Sequence, residues 1–382
     1  MKAPGRTILS VVGARPNFMK IAPIARVLAG HPGWRHVIVH TGQHYDSNMS
    51  DVFFRDLEIA EPDVHLGVGS GTHTDQTARV MLAFESVLQA QEPALVVVVG
   101  DVNSTLAASL VAAKSRVPVA HVEAGLRSFD RDMPEEINRI LTDAVADLLL
   151  TPSRDANENL KREGVAEERI HFVGNVMIDS LLYYLPRARA THAWEQFDVE
   201  PENYALVTLH RPSNVDAQQT LRGLFDLLTR LSARLPVVFP VHPRTRKMLE
   251  EFGLATAPAA LKLVDPVGYL DFLGLEASAR LVLTDSGGIQ EETTVLQVPC
   301  LTLRANTERP ITVNQGTNRI VGSDVEAVWS AAQDVLARPM PKVSAPEYWD
   351  GRSAERIVAV IERFLARRPS SGSAEAAPDA PH

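Results

Sequence analysis

The sequence predicts an α/β protein with two Rossmann-like, doubly wound domains that face a central cleft. Short, unbroken runs of β-branched residues alternate with amphipathic segments, which is typical of parallel strands covered by helices on both faces. The alternation stops in the polar stretch 186–201 and then begins again. A chain of 382 residues is also long enough for two to three domains of ordinary size.

The first series of predicted strands begins with Thr7–Val12, and Phe18–Ala29 follows as a predicted helix. Leu95–Gly100 contains four consecutive valines and leads into the Ala-rich predicted helix NSTLAASLVAAKS. Further strands are predicted in HVIVHTG, PVAHVEA, DLLLTPS and RIHFVGN. We therefore predict that residues 1–185 form an amino-terminal domain.

The second series contains the predicted strands YALVTLH, PVVFPVH, LKLVDP, RLVLTDS and PCLTLR, with a helix over Leu221–Arg234. We predict a carboxyl-terminal domain over residues 186–367, closed by a helix at Ser353–Arg367. Residues 368–382 are rich in Ser, Ala and Pro and predict a disordered tail. Ligands of doubly wound sheets bind beyond the carboxyl ends of the strands, so the loops there should carry the chemistry.

The composition narrows the class of protein. The formal net charge is −9, which argues against a nucleic-acid partner but allows a few cations to bind a phosphate locally. No apolar run approaches the ~20 residues that span a bilayer, and the first residues do not form a signal peptide pattern. We expect a soluble, cytoplasmic protein without a membrane partner. The single cysteine, Cys300, lies in the apolar run VPCLTL and is predicted to be a buried strand residue.

The segment LTDSGGIQEE places Ser286, Gly287 and Gly288 between a predicted strand and a predicted helix. Glycines let the backbone approach a ligand closely, and the N–H groups of a helix amino terminus bind phosphate. Glu292, one turn into the helix, could accept hydrogen bonds from a ribose diol. The alternative is a plain turn followed by acids that interact favourably with the helix dipole.

Two cations follow the first strand, in GARPNFMK. Arg15 lies at the mouth of the strand, and Lys20 lies in the first turns of the next helix, where a positive charge opposes the helix dipole. An anion beside Lys20 would relieve this conflict. The alternative is that both side chains are solvated.

Three carboxylates follow strands or begin a helix in the first half of the chain. Asp101 comes after the valine run, Glu123 after PVAHV, and Glu136 after Pro134 in DMPEEINR. Each alone could be an ordinary turn or capping acid. If the three converge on one face of the cleft, we expect them to raise one another's pKa and to act as acid and base near neutral pH.

In the second half, His210 and Arg211 come directly after a predicted strand, and His242 is placed similarly. A lone histidine is usually structural, whereas a His-Arg pair at a strand mouth suits a phosphate or a leaving group. Arg309 adds a cation on the loop NTERP. No G-x-G-x-x-G motif follows a strand and no P-loop occurs, so we expect no nicotinamide or other cofactor, and we predict no metal.

With these motifs in view, the sequence resembles the non-hydrolysing UDP-N-acetylglucosamine 2-epimerases over about residues 7–365. The resemblance is carried by GARPNFMKIAP, TGQHYD, GDVNSTLA, HVEAGLRS, PEEINR, TPS, GNVMIDSL, LTDSGGIQEE and TERP, in this order. It implies a GT-B architecture, a UDP-sugar substrate, no cofactor and a homodimer. The implied reaction is anti elimination of UDP to a 2-acetamidoglucal, reprotonation of C2 on the other face and re-addition of UDP.

The resemblance also implies roles for individual residues. Asp101, Glu123 and Glu136 would be the acid/base carboxylates, and His210 the essential histidine near the diphosphate. The residues expected to contact the UDP-sugar are Arg15, Lys20, Phe272, Ser286, Gly287, Gly288, Glu292 and Arg309.

The sequence departs from the family pattern in three places. Ile311 follows Pro310 where a glutamate is common, Tyr45 and Asp46 follow the QH motif, and GSGTHTDQ lacks the arginine of an activator pocket. We therefore do not expect activation by a second substrate molecule. A hydrolysing epimerase, a retaining glycosyltransferase, a non-enzymatic UDP-sugar sensor and a variant sugar such as a 2,3-diacetamido uronic acid stay open as alternatives.

Overall fold

The structure is a computed structural model that describes residues 6–43, 61–338 and 342–368. Its strands form two sheets in which all neighbours are parallel. The described strands are β1 (Arg6–Val12), β2 (Trp34–His40), β3 (Val64–His65), β4 (Leu95–Val99), β5 (Val119–Val122), β6 (Leu148–Thr151), β7 (Ile170–Phe172), β8 (Ala205–Thr208), β9 (Val237–Pro240), β10 (Leu261–Val264), β11 (Leu281–Thr284), β12 (Cys300–Thr302) and β13 (Asn318–Ile320).

The helices cover both faces of the sheets. The described helices are α1 (Arg15–Ala29), α2 (His73–Gln91), α3 (Asn103–Lys114), α4 (Pro134–Val145), α5 (Arg154–Arg162), α6 (Val176–Ala190), α7 (Pro212–Val215), α8 (Gln218–Ser232), α9 (Pro243–Glu251), α10 (Tyr269–Ala277), α11 (Gly287–Leu296), α12 (Ile311–Asn314), α13 (Val325–Ala337) and α14 (Ser353–Ala366). Two short 3₁₀ helices span Glu167–Arg169 and Ala193–Phe197.

The strand orders confirm the predicted pair of doubly wound sheets. The first sheet has the order β3-β2-β1-β4-β5-β6-β7 and the second the order β10-β9-β8-β11-β12-β13. In each sheet the winding direction reverses between two central strands, β1 and β4 in the first and β8 and β11 in the second. Ligands of such sheets bind beyond the carboxyl ends of these strands, which fixes where a site is expected.

The apolar runs form strands because both faces of each sheet are covered. All five residues of β4 are buried, so its four valines pack on both sides. In α8, by contrast, Leu221, Leu224 and Leu228 recur at helical spacing and are buried on one face. Cys300 is buried in β12 as predicted, and burial raises the pKa of its thiol to about 12.

Several boundaries differ from those predicted. α1 begins at Arg15 rather than Phe18, because a proline in the first helical turn loses no intrahelical hydrogen bond. α6 continues through Pro186 to Ala190, so a helix occupies the start of the stretch expected to be a linker. Despite the proline, the buried side chains of Tyr184 and Ala188 pack this helix against the apolar core of the first sheet. The short strands β3 and β13 were not predicted.

The last helix, α14, packs against α1 of the first sheet. Its Ile357 and Ile361 are fully buried in the same core as Ile21 and Ile24. The chain therefore returns to its amino-terminal half, although this helix was predicted with the second domain. The domain limits at residues 185 and 367 stay a prediction. The expected tail is also untested, because residues 369–382 lie outside the described residues. Among the described helices, none combines the length and the apolar character needed to cross a membrane.

Candidate active site

Asp101 and Glu136 share one arginine. Asp101 lies two residues beyond β4, and Glu136 lies in the first turn of α4. Arg139 forms an ion pair with Asp101 through Nη1 and with Glu136 through Nη2, the latter at 2.8 Å. Asp101 does not cap α3, whose N-cap residue is Val102. The ordinary capping interpretation therefore does not hold for Asp101.

Glu136 is buried and fully hydrogen-bonded. Its carboxylate accepts the backbone N–H groups of Ser128 and Phe129, each at 2.9 Å, and the Ser128 hydroxyl at 3.0 Å. Burial alone would raise the pKa of Glu136, but these donors and Arg139 lower it. Glu136 is therefore a carboxylate held in one orientation, and it stabilises the loop before α4.

Glu123 lies directly after β5 with a backbone φ of 74°, a conformation that is uncommon for a residue other than glycine. Its side chain is buried between an ion pair with Lys20 of α1 and the Arg309 guanidinium, 3.4 Å away. The anion expected beside Lys20 is thus a carboxylate of the protein itself, and the interpretation of Lys20 as a solvated cation is wrong. A strained, buried residue at a strand end marks a site whose geometry is held by its surroundings.

Arg309 joins the two halves of the molecule. Its guanidinium lies 3.4 Å from Glu123 of the first sheet, 2.8 Å from Glu291 of α11 and 3.2 Å from Glu308. Burial alone would lower the pKa of Arg309, but Glu291, Glu308, Glu123 and, more weakly, Asp101 raise it above its usual value. We call Arg309 with Glu123, Glu291 and Glu308 the Arg309 cluster.

The sequence predicted that the acids of this region raise one another's pKa. The structure shows that not all of them do. Burial would raise the pKa of Glu123, but Lys20 and Arg309 outweigh it and lower the pKa. Burial would likewise raise the pKa of Glu308, but Arg309 and Arg304 lower it to about 2. The expectation was wrong for Glu123, because Lys20 and Arg309 pair with it. It was also wrong for Glu136, because its hydrogen-bond donors and Arg139 lower its pKa.

Glu291 is the exception within the Arg309 cluster. Burial raises its pKa to about 7, although Arg309 opposes the shift. Its Oε2 atom is buried without a hydrogen-bond partner. Glu291 was not singled out in the sequence because the adjacent Glu292 offered the same residue type, and only the helix geometry shows which of the two faces Arg309.

His210 lies at the carboxyl end of β8 and is held by Asp285, which follows β11. The Asp285 carboxylate lies 2.9 Å from His210 Nδ1 and accepts the backbone N–H groups of His210 and Arg211. The imidazole is 42% exposed, and Nδ1 is engaged, so Nε2 is the nitrogen that can reach a ligand. Asp285 was not predicted, although an acid directly after a strand is the same signal that marked Asp101.

The glycine turn begins α11, as predicted. Ser286 is the N-cap residue, and Gly287 and Gly288 are the first two residues of the helix. A Cβ atom on Gly287 would lie 2.6 Å from Arg309 Nη1, whereas one on Gly288 would meet nothing within 4 Å. The helix amino terminus thus lies beside the Arg309 cluster, and the backbone at Gly288 is open to a ligand.

Glu292, the residue after Glu291 in α11, contacts α10. It accepts a hydrogen bond from the Tyr269 hydroxyl at 3.2 Å, and burial raises its pKa to about 7. The neighbouring Glu276 is fully buried, and its pKa is raised further by burial and by Glu292. Phe272, on the same helix as Tyr269, is partly buried and packs against apolar residues of the second sheet.

Some residues noted in the sequence cannot be placed in the structure. The Arg15 side chain, Tyr45 and Asp46 lie outside the described residues. The structure adds Arg139, Glu291 and Asp285 to the residues predicted. Arg139 follows Glu136 by three positions, a helical spacing at which opposite charges meet, and this signal was present in PEEINR.

The raised pKa values of Glu291 and Glu292 predict how stability depends on pH. Between the ordinary value of 4.5 and about 7 the folded protein keeps protons that the unfolded chain has released. The free energy of unfolding should therefore fall as pH rises through this window. Glu292→Gln should flatten the slope by about 1 kcal/mol per pH unit in urea denaturation series. Glu195→Gln, at an exposed glutamate, is the control, and an unchanged slope in Glu292→Gln would contradict the assignment.

Carboxylates from one sheet meet cations and a helix amino terminus from the other, which defines an α/β enzyme for a phosphorylated substrate. Comparison with protein families then gives the particular family. The model of the UDP-N-acetylglucosamine 2-epimerase family matches residues 26–362. The chain belongs to this family of isomerases.

Similar proteins agree with this assignment. A UDP-N-acetylglucosamine 2-epimerase of Methanocaldococcus jannaschii is 43% identical over 362 residues, covering 92% of this chain and 97% of that protein. The crystal structure of the M. jannaschii enzyme in complex with UDP-GlcNAc and UDP matches with a TM-score of 0.86, 43% identity and coverage of 94% and 99%. A UDP-2,3-diacetamido-2,3-dideoxy-D-glucuronate 2-epimerase of Pseudomonas aeruginosa is 40% identical over 360 residues, covering 94% and 99%.

Proposed function

We propose that this chain interconverts UDP-N-acetylglucosamine and UDP-N-acetylmannosamine without hydrolysis, by eliminating and re-adding UDP. The observation that carries the proposal is the contact between Glu123 of the first sheet and Arg309 of the second, beside the amino terminus of α11. A carboxylate that can take a proton from the sugar thus lies next to groups that can bear the charge of a leaving diphosphate.

The first half of the proposed reaction breaks two bonds of the sugar. A carboxylate takes the C2 proton, the electron pair forms the C1–C2 double bond, and the C1–O bond breaks with both its electrons leaving on UDP. The products are a 2-acetamidoglucal and UDP. Lys20, Arg309, His210 and the N–H groups of α11 are proposed to stabilise the diphosphate as its charge increases.

The second half protonates C2 on the opposite face of the sugar and re-adds UDP to C1 on its original face. A protonated acid delivers a proton to C2, and a UDP oxygen attacks C1. Opposite-face transfer needs acids on both sides of C2, which we assign to Asp101, Glu123 and Glu136. Arg139 supports this assignment because it holds Asp101 and Glu136 together, while Glu123 approaches from the Arg309 cluster.

Proton NMR in deuterated water tests the proposed function directly. The enzyme should incorporate deuterium at C2 of UDP-N-acetylglucosamine and form the manno epimer, with UDP still attached in the final mixture. Release of UDP with free N-acetylmannosamine would instead identify a hydrolysing enzyme. Binding without exchange or turnover would indicate a sensor, and transfer to an acceptor without exchange would indicate a glycosyltransferase.

A second substrate is favoured by the P. aeruginosa relative, which acts on a 2,3-diacetamido glucuronate derivative. Its identity of 40% is close to the 43% of the M. jannaschii enzyme, so identity alone does not separate the two sugars. The deuterium experiment should therefore include both UDP-sugars at equal concentration. We expect faster exchange for UDP-N-acetylglucosamine, and faster exchange for the uronate would reassign the substrate.

The two glycines of the turn give a matched pair of variants. Gly288→Ala should leave the thermal midpoint unchanged or raise it, because Ala favours a helix by ~1 kcal/mol and meets no protein atom. The same change should raise KM for the UDP-sugar at least tenfold if the diphosphate lies against this backbone. Gly287→Ala should lower stability as well, because the new methyl group would displace Arg309. An unchanged KM in Gly288→Ala would contradict the proposed diphosphate position.

We also propose a homodimer and a cytoplasmic location. Leu82 of α2, Leu141 of α4 and Phe129 between β5 and α4 are 72%, 43% and 73% exposed, which is unusual for large apolar side chains and supports a protein contact. Light scattering coupled to size exclusion should give twice the mass of 41.8 kDa. Leu82→Glu should shift the protein toward the monomer, and a monomeric wild type would reject the dimer.

A further inference from the structure

His121 is a fully buried residue of β5, two positions before Glu123. Its Nε2 atom lies 2.9 Å from the carbonyl oxygen of Gly100, and its Nδ1 atom lies 2.6 Å from Asp143 Oδ1. Both ring nitrogens therefore face oxygen atoms. Because each nitrogen is a donor or an acceptor according to its proton, these contacts determine the charge of the ring.

The carbonyl oxygen of Gly100 can only accept a hydrogen bond, so Nε2 must carry a proton. Asp143 is also an acceptor, since its Oδ2 accepts the Gly125 N–H at 3.0 Å and lies 2.8 Å from Arg127 Nη1. The Arg127 guanidinium and the Gly125 N–H both favour the ionised form of Asp143, so the group is a carboxylate. Nδ1 must then carry a proton as well, and a ring with two N–H groups is an imidazolium.

The His121–Asp143 pair is hydrogen-bonded to the backbone beside two of the proposed acid/base groups, Asp101 and Glu123. Gly100 directly precedes Asp101, and its φ of +67° lets its carbonyl turn toward His121. Gly125 comes two residues after Glu123 and donates to Asp143. One buried ion pair therefore fixes the two turns from which these carboxylates project.

We propose that His121 is a positioning residue that, as an imidazolium paired with Asp143, holds the turns of Asp101 and Glu123 and places a positive charge behind Glu123. The proposal rests on the proposed function for its effect on turnover, whereas the charge of the ring stands on its contacts alone. A fixed cation behind Glu123 would keep that carboxylate ionised between turnovers.

The charged groups around His121 come from several elements. Asp143 belongs to α4, Arg127 to the loop after β5, and Glu123 to the end of the same strand. Glu163 pairs with Arg127 at 2.7 Å, and Lys20 and Arg309 pair with Glu123. Among the described residues, each of these cations thus has a carboxylate partner, and His121 has Asp143.

Nitrogen NMR of the full chain with ¹⁵N-labelled histidine tests the charge without any assay of activity. Both ring nitrogens of His121 should show the shift of protonated nitrogens at pH 7. The signals are assigned by their loss in His121→Asn. A neutral tautomer at this pH would overturn the proposal.

Asp143→Asn tests the effect on turnover. The amide of Asn would donate to Nδ1, so the ring would become neutral while Nε2–H still bonds to Gly100. We expect kcat to fall roughly 10- to 100-fold, as for other groups that orient a reactive side chain, with KM changed less than about twofold. The acidic limb of the kcat profile should move to higher pH, because Glu123 loses a neighbouring positive charge.

His171→Asn is the matched control, because His171 is a half-buried histidine of β7, which β6 separates from β5 in the same sheet. It should leave kcat and the pH profile unchanged. Unchanged kcat and profile in Asp143→Asn would overturn the positioning role. If the variant does not fold, the NMR measurement on the native chain still decides the charge of His121, and deuterium exchange by the wild type separately decides the function.

Discussion

Glu123→Gln should reduce deuterium incorporation at C2 at least about 100-fold, a loss of roughly 2.7 kcal/mol of transition-state stabilisation. The amide keeps the shape of the side chain but cannot take the C2 proton. Lys20 and Arg309 both contact Glu123, so its carboxylate lies between two cations. Exchange followed by NMR measures the chemical step without a coupling enzyme.

The matched control for this prediction is Glu347→Gln, which changes a carboxylate that pairs with Arg154 at 2.8 Å, both side chains being exposed. We expect its exchange rate to stay within about twofold of the wild type, since surface pairs contribute little. Calorimetry with UDP should show that Glu123→Gln still binds the nucleotide. A Glu123→Gln enzyme with normal exchange would assign the C2 proton to another group.

Arg309→Met should lower the free energy of unfolding by about 3–5 kcal/mol, because it leaves buried carboxylates without their shared cation. Glu291 loses the only cation that contacts it among the described residues, whereas Glu308 keeps Arg304 at 2.8 Å. The loss should be greatest near pH 8 and should shrink as pH falls through about 7 toward pH 5, because Glu291 then takes up a proton. Urea denaturation at both pH values measures it.

Arg319→Met provides the comparison, since Arg319 forms an exposed pair with Asp334 at 3.2 Å. Its expected cost is below 1 kcal/mol at either pH. Equal losses for the two variants, or a loss in Arg309→Met that does not depend on pH, would show that the Arg309 cluster does not carry the buried charge described above.

The architecture was predictable because the strands have a strong local signal. The valines of β4 and the apolar runs of β8 and β11 define strands buried on both faces, and the loops that follow them carry the site residues. Short strands such as β13, with only three residues, lack this signal. The path of α14 was not predictable, because its apolar face fits either sheet and only tertiary packing decides between them.

The residue types of the site were predictable, but their electrostatics were not. Asp101, Glu123 and Glu136 follow strands or begin a helix, which is visible in the sequence. The Arg309 partner of Glu123 lies 186 residues away. Glu136 is held by Arg139, three residues on, and by the backbone of the preceding loop. A pKa depends on such partners more than on the local sequence, so the expectation of mutually raised values failed for Glu123 and Glu136.

The return of the carboxyl-terminal helix to the first sheet has a consequence for dissecting the protein. A fragment ending at residue 185 would expose the apolar surface of α1 that Ile357 and Ile361 otherwise cover. A fragment beginning at residue 186 would carry that helix with nothing to bury it against. The two halves should each be poorly soluble when produced separately. Co-expression should recover both as one non-covalent assembly, held together by the contact between α14 and α1.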